Sequence, residues 1–195
     1  DPGGYYLRGW MYYSTRDFSS AIADLSMAVK LEPKFSEAYY LRGIAYLNLH
    51  DFDKAYEDFS VFSANNPQDN RGYLMLAMCD LLKGNFDQSL ATMEKIEGMF
   101  PNSPEIRIFS AMVNLVKGNH EQAGVHIAKA VELGLDTPVL YYVRGWQRSL
   151  KSDFDSSLAD LNKISETFQN SPYFFLLRAL VYANKTDYDQ AIKDM

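Results

Sequence analysis

The sequence matches itself at a constant offset of 34 residues, and this period limits the fold more than any other feature. A unit of this length has room for two short helices, and it needs neighbouring copies to bury its apolar side. No linker separates the copies, so we predict one array over residues 1–195. Its repeats are 2–35, 36–69, 70–103, 104–137, 138–171 and a shortened 172–195, and the short last repeat leads us to expect a piece of a longer protein.

Two positions in every repeat hold a small residue. Small side chains twelve residues apart let two antiparallel helices approach closely, which larger side chains would prevent. The pattern therefore predicts one helical hairpin per repeat. The eighth residues are Gly9, Gly43, Ala77, Ala111, Gly145 and Ala179, and the twentieth are Ala21, Ala55, Ser89, Ala123, Ser157 and Ala191.

The turn inside each hairpin can also be located. The sixteenth residue of every repeat is Asp or Asn, whose side chains accept backbone N–H bonds at the start of a helix. Prolines at the thirty-second residue of the first three repeats predict where the second helices end, whereas Leu135 and Gln169 in the fourth and fifth repeats predict less sharp ends. The predicted caps are Asp17, Asp51, Asn85, Asn119, Asp153 and Asp187.

Together with an aromatic fourth residue in five repeats, such as Tyr5 and Tyr39, these features resemble the tetratricopeptide repeat over the whole chain. The resemblance implies an all-α fold, a right-handed superhelical solenoid of antiparallel helix pairs with a concave groove. It also implies a non-enzymatic protein that holds other polypeptides.

An arginine at the seventh residue and an aspartate at the twenty-third occur together in four repeats and are both missing from the other two. We interpret this correlation as an ion pair that joins the two helices of one hairpin. Alternatively the arginines could clamp an anionic ligand, but the matched acid would neutralise each of them. The predicted pairs are Arg8–Asp24, Arg42–Asp58, Arg144–Asp160 and Arg178–Asp194.

The resemblance places the fifth, ninth and twelfth residues of each repeat on the wall of the groove, and these residues are mostly apolar. We call this row of apolar side chains the apolar ladder. If it is exposed, it would mark an interaction surface, whereas first helices that pack on both sides would make much of it core. Trp10 and Trp146 are the strongest binding candidates, because Trp often dominates binding energy. The candidate residues are Tyr6, Trp10, Tyr13, Tyr40, Ile44, Leu47, Leu74, Met78, Met112, Tyr142 and Trp146, and the ladder continues through Leu176 and Leu180.

Two functional hypotheses follow. The first is a scaffold or adaptor whose groove binds an apolar peptide or an amphipathic helix of a partner protein. The second is a structural segment of a longer or self-associating solenoid, whose groove is filled by its own chain or by a second copy.

Composition excludes several partner classes. The formal net charge is −6 with both signs interspersed, which disfavours nucleic acid, and no apolar run is long enough for membrane insertion. The single Cys79 fits a reducing compartment and so favours the cytoplasm, although secreted repeat proteins can also lack disulfides.

Two specific activities are also disfavoured. Cochaperones of the resembled family hold heat-shock chaperone C-terminal tails with a clamp of basic residues and Asn, and here only Arg71 could supply positive charge at those positions. We expect no catalytic residues, cofactor or metal site, because His50, His120 and His126 are scattered and no nucleophile or phosphate-binding motif is present.

Overall fold

The computed structural model describes residues 1–195 and contains twelve α-helices and no strand. The helices form six consecutive pairs, which confirms the all-α class and the helical hairpins expected from the sequence. The bounds are α1 Pro2–Ser14, α2 Phe18–Leu31, α3 Ser36–Asn48, α4 Phe52–Asn65, α5 Asn70–Leu82, α6 Phe86–Met99, α7 Pro104–Lys117, α8 His120–Glu132, α9 Pro138–Leu150, α10 Phe154–Lys163, α11 Pro172–Asn184 and α12 Tyr188–Asp194.

The chain divides into two compact units, residues 1–100 and 101–195. Unit 1 holds the helices α1 to α6 and unit 2 holds α7 to α12. Within each unit, helices that follow one another along the chain pack together, as expected for stacked hairpins.

The first helix of each pair begins at the first residue of a predicted repeat. Proline is favoured at the first helical position because its missing N–H would have no helical partner there. Four first helices use it, and in each a side-chain oxygen of the preceding residue accepts a backbone N–H bond. These caps are Asp1, Ser103, Thr137 and Ser171.

The second helices begin one residue after the predicted caps. The aspartates at this position accept a backbone N–H bond from three residues further on, for example Asp17 from Ser20 at 3.1 Å. Asn85 and Asn119 make no such bond, so the predicted side-chain cap is wrong for these two repeats. Their amides instead bind side chains of the first helix, Asp80 and Asn114.

The residue before each of these caps is left-handed. Gly84 and Gly118 adopt this conformation with φ values of 78° and 89°, and glycine does so without steric cost. The other four repeats place a residue with a side chain there, at φ values between 60° and 64°. These residues are Arg16, His50, Ser152 and Thr186.

The ends of the second helices follow the prolines where these are present. The helices α2, α4 and α6 each end two residues before a proline, at Pro33, Pro67 and Pro101 respectively. The helix α10, which has no such proline, ends early at Lys163 and continues as turns. The helix α8 ends at Glu132, just before the left-handed Gly134.

The small residues bring the two helices of a hairpin together. A Cβ atom added to Gly43 would lie 2.8 Å from the ring of Phe59, which is fully buried on α4. In the third repeat the small residue on the second helix also forms a hydrogen bond, because Ser89 Oγ donates to the carbonyl oxygen of Ala77 at 2.8 Å. Close backbone contact is therefore required at this crossing.

Candidate protein-binding site

In all four repeats that contain it, the arginine of the first helix binds the aspartate of the second through two hydrogen bonds. Arg42 donates from Nε to Asp58 Oδ2 at 2.8 Å and from Nη2 to Oδ1 at 2.6 Å. The same bidentate contact joins the other three pairs, with distances from 2.6 to 2.9 Å. This geometry is the strongest that an arginine and a carboxylate can adopt, and it occupies the groups that an anionic ligand would need.

Two of these arginines also reach the preceding repeat. Arg42 Nη1 donates to Ser26 Oγ at 3.0 Å, and Arg178 Nη1 donates to Asn162 Oδ1 at 3.2 Å. Each arginine lies over the aromatic ring three residues before it, as Arg42 lies 5.4 Å from the ring centre of Tyr39. Arg42 and Arg178 therefore join neighbouring hairpins as well as the two helices of one hairpin.

The four pairs differ in their exposure to water. The Arg8 side chain is 58% exposed, and its hydrogen bond lowers the pKa of Asp24. The Arg42 side chain is only 17% exposed; there burial raises the pKa of Asp58, against the opposing effect of the hydrogen bonds from Arg42. We expect the second pair to matter more for folding, because water screens an exposed pair.

The candidate ladder of unit 1 is mostly half-buried. Trp10 is the exception, with 53% of its surface exposed. Tyr6 and Tyr13 pack against the core of the first hairpins, and Ile44 packs against the core that surrounds Phe59. The remaining members are half-buried in the same way, and they are Tyr40, Leu47, Leu74 and Met78. Both interpretations of the ladder thus describe part of it, since each half-buried side chain supports the core and leaves one edge accessible.

Unit 2 contains an apolar pocket of about 190 Å³ between α9 and α11. This volume is smaller than the roughly 300–1,000 Å³ of typical small-molecule sites, so it suits a single side chain of a bound polypeptide. Met112, Tyr142 and Trp146 pack against the core of unit 2, and the last two also line the pocket. Its lining is Tyr142, Trp146, Tyr173, Leu176, Leu177 and Leu180.

Two members of this pocket, Tyr173 and Leu177, were not predicted from the sequence. Tyr173 is the second residue of its repeat, a position that the family resemblance assigns to the groove, and it is 76% exposed. Leu177 is the sixth residue of its repeat, a position that was not among those predicted to line the groove. The apolar character of both residues was visible in the sequence, but their convergence on Trp146 needed the packing of α9 against α11.

Arg71, the one basic residue that could serve a carboxylate clamp, is occupied within unit 1. Its Nη2 donates to Glu37 at 2.9 Å and to Asp69 at 2.7 Å, and its guanidinium lies 4.9 Å from the ring centre of Tyr40. An incoming carboxylate would have to displace two carboxylates already bound to it.

The chain has few side chains suited to catalysis or metal binding. Burial raises the pKa of the Cys79 thiol to about 12, which keeps it protonated and unreactive. No group of three or more His, Cys, Asp or Glu side chains is placed to hold a metal ion. None of the helices has the length and apolar character needed to cross a membrane.

The sequence profile of the tetratricopeptide repeat matches residues 6–70. No curated protein is similar enough in sequence to count as a relative. Among solved structures, a tetratricopeptide repeat protein from Parabacteroides merdae superposes with a TM-score of 0.80 at 22% identity, covering 93% of this chain and 71% of that one. The chain therefore has the fold of tetratricopeptide-repeat proteins, and its residues 6–70 carry the sequence signature of that repeat.

Two further structures extend the likeness over the whole chain. TTC0263, a tetratricopeptide-repeat protein of Thermus thermophilus, has a TM-score of 0.74 at 19% identity and covers 99% of this chain and 100% of its own. A chain of the APC/C hetero-tetramer Cut9–Hcn1 has a TM-score of 0.84 at 18% identity, covering 100% of this chain but 38% of that one. At such low identity these likenesses establish the fold alone.

Proposed function

We propose that the chain is a scaffold or adaptor that binds an apolar peptide or an amphipathic helix of a partner protein along its first helices. Proteins with this fold typically mediate protein–protein interaction or scaffolding. The observation that carries the finer proposal is the pocket of unit 2, where Trp146 and Tyr142 meet three residues of α11 that are more than half exposed. These are Tyr173, Leu176 and Leu180.

The residues that line this pocket support a partner segment of apolar chemistry. All six lining residues are apolar or aromatic, and no charged side chain lines the pocket. An occupant would therefore present an aliphatic or aromatic anchor, with others at helical or alternating spacing. Heat-shock chaperone C-terminal tails fit poorly, because the single basic residue available to them, Arg71, is already paired with Glu37 and Asp69.

A capture experiment from native lysate tests the proposal. The bait is the wild-type chain beside a Trp10→Ala, Trp146→Ala variant, with bound proteins identified by mass spectrometry. A matched control, Val125→Ala with Val131→Ala, removes two exposed apolar side chains from the second helix α8. We expect the tryptophan variant alone to lose a captured partner, with its circular dichroism unchanged. Equal capture by all three chains would contradict the proposal.

The second candidate function is a structural segment whose apolar surfaces are covered by its own chain or by a second copy. Leu7 and Met11 on α1 favour it, because each is 62% exposed. The equivalent residues of α3, Leu41 and Ala45, are buried, and Leu41 lies in one core cluster with residues of α2. Light scattering distinguishes the self-associating version: a mass that rises with concentration supports it, and a monomer at all concentrations contradicts it.

A further inference from the structure

The last second helix of unit 1, α6, buries less than the two before it. All three helices have 14 residues. The helices α2 and α4 each bury five residues, whereas α6 buries three, and these are Ser89, Met93 and Ile96. The core cluster around Phe59 includes Leu76 and Cys79 of α5 but no residue of α6. Burial of apolar surface therefore holds α6 less firmly than it holds α2 or α4.

The third hairpin also lacks the ion pair that joins the helices of the first two. Leu76 and Thr92 occupy the positions that Arg42 and Asp58 hold in the second repeat. The helix α6 also begins without a side-chain cap, because Asn85 makes no bond to its first turn, and such caps stabilise the start of a helix. Two interactions that secure α2 and α4 are thus missing from α6.

A buried charge lies between α5 and α6. The eleventh residue of a repeat faces the second helix of its own hairpin: in the fifth repeat, Arg148 Nη1 lies 2.7 Å from Asp160 Oδ2 on α10. Asp80 occupies this position in the third repeat. Its side chain is buried, and its Oδ2 atom has no hydrogen-bond partner. The packing of α6 on α5 therefore keeps a carboxylate away from water, and separation of the two helices would relieve this cost.

The helix α5, in contrast, is held to the second hairpin at both of its ends. Near its start, Arg71 Nη2 donates to Glu37 Oε1 of α3 at 2.9 Å. At its end, Lys83 Nζ lies 2.5 Å from Asp53 Oδ1 of α4. Between these contacts, α5 belongs to the core cluster around Phe59. A separation within the third hairpin would therefore leave α5 in place.

We propose that α6 detaches from α5 as a local unit while α5 stays packed against α4, and that Asp80 sets how often this opening occurs. In the open form, the carboxylate of Asp80 regains water, and the buried side chains of Met93 and Ile96 become accessible. Local units of this kind open at a lower free energy than the whole fold. The opening goes beyond the adaptor function proposed above, because α6 carries no residue of the apolar ladder.

Hydrogen exchange of the wild-type chain, followed by mass spectrometry of proteolytic fragments, measures the opening of each helix. We expect the amides of α6 to exchange at least about tenfold faster than those of α4 and α5, each relative to its intrinsic rate. Urea up to about 1 M should accelerate exchange in α6 less than in α4 and α5, because the local opening exposes less surface. Equal protection and equal urea dependence in the three helices would overturn the proposal.

The single cysteine tests whether α5 stays in place. Cys79 is fully buried on α5, and a thiol reacts with an aromatic disulfide reagent only when it is accessible. We expect the protection of Cys79, measured relative to a free thiol, to equal the amide protection of α4. Protection as low as that of the α6 amides would contradict the proposal, because α5 would then leave together with α6.

Two variants test the role of Asp80. Asp80→Asn removes the charge that α6 covers, so it should slow exchange in α6 by about fivefold. The fourth repeat has Asn114 at this position, so the fold accommodates an amide there. Glu94→Gln is the matched control: it removes an exposed charge from α6 itself and should leave the exchange of α6 unchanged. Unchanged or faster exchange of α6 in Asp80→Asn would refute the role assigned to Asp80.

Discussion

Asp80 is the residue whose surroundings least suit its charge. Its side chain is buried on α5, and its Oδ2 atom has no hydrogen-bond partner. Burial raises the pKa of this carboxyl group, and a hydrogen bond from Asn85 only partly opposes the effect. The next repeat has Asn114 at the same position, and its amide donates to the Ser110 carbonyl oxygen at 2.9 Å. An amide therefore satisfies this site where a carboxylate does not.

We predict that Asp80→Asn stabilises the chain at pH 7 by about 1 kcal/mol, because it removes a buried charge with an unpaired oxygen. A carboxyl group whose pKa is raised by folding stabilises the fold when protonated, and this contribution is lost as the pH rises through the folded-state pKa. The advantage of the variant should therefore shrink as the pH falls toward 4. Urea unfolding at several pH values measures it, with the exposed Glu94→Gln as control. Destabilisation at pH 7 would contradict this account.

The Arg42–Asp58 pair leads to a second prediction at the residue scale. Loss of one partner leaves the other charge buried and unpaired, which costs up to roughly 3–5 kcal/mol. Arg42→Ala should therefore destabilise the wild-type chain more than it destabilises the Asp58→Ala variant. Urea unfolding of the four chains of the double-mutant cycle measures this difference. Additive losses would refute the coupling, and the cycle on the exposed Arg8–Asp24 pair should give a smaller coupling.

At the scale of the element, each hairpin turn has one left-handed residue. Thr186 is the least suited of the six, because a β-branched side chain is strained at its φ of 64°. Gly84 occupies the same position of the third repeat, and an added Cβ atom would meet nothing within 4 Å. Substitutions at these two positions therefore separate the effect of backbone strain on stability from the effect of packing.

We predict that Thr186→Gly raises the free energy of unfolding and that Gly84→Thr lowers it, each by about 1 kcal/mol, since the left-handed conformation costs residues with a Cβ atom roughly that amount. Thermal unfolding followed by circular dichroism measures both changes. If both substitutions change the free energy of unfolding by much less than this amount, the turn relaxes instead of storing strain, and the prediction is wrong.

The elements could be predicted closely because their signals are local. Caps, prolines and small residues act within one hairpin, so the first helix of every repeat begins where the sequence indicates. The caps of Asn85 and Asn119 failed because their amides had competing partners on the preceding helix, Asp80 and Asn114. The prediction of a cap considers only the residue at the cap position, whereas the hydrogen bond that forms also depends on the residue that competes for its side chain.

At the scale of the molecule, the apolar ladder could be placed but its exposure could not. The same repeat position gives Trp10, which is 53% exposed, and Trp146, which is half-buried against the core of unit 2. The difference arises from the neighbours that each ring meets, which the period does not encode. Ion pairs between neighbouring hairpins, such as Lys83 with Asp53 and Lys151 with Glu121, could likewise not be assigned from the sequence, because only the contacts between hairpins connect the two positions.

The most direct test of the adaptor function is a binding titration between the chain and the partner segment that it captures. Burial of aromatic side chains should dominate the affinity, so Trp146→Ala should raise the Kd by at least about tenfold. Raising the salt from about 50 to about 500 mM should change the Kd by less than about threefold, since salt screens charged contacts and leaves apolar ones. A Kd unchanged by Trp146→Ala, or one that collapses with salt, would contradict an apolar groove as the binding site.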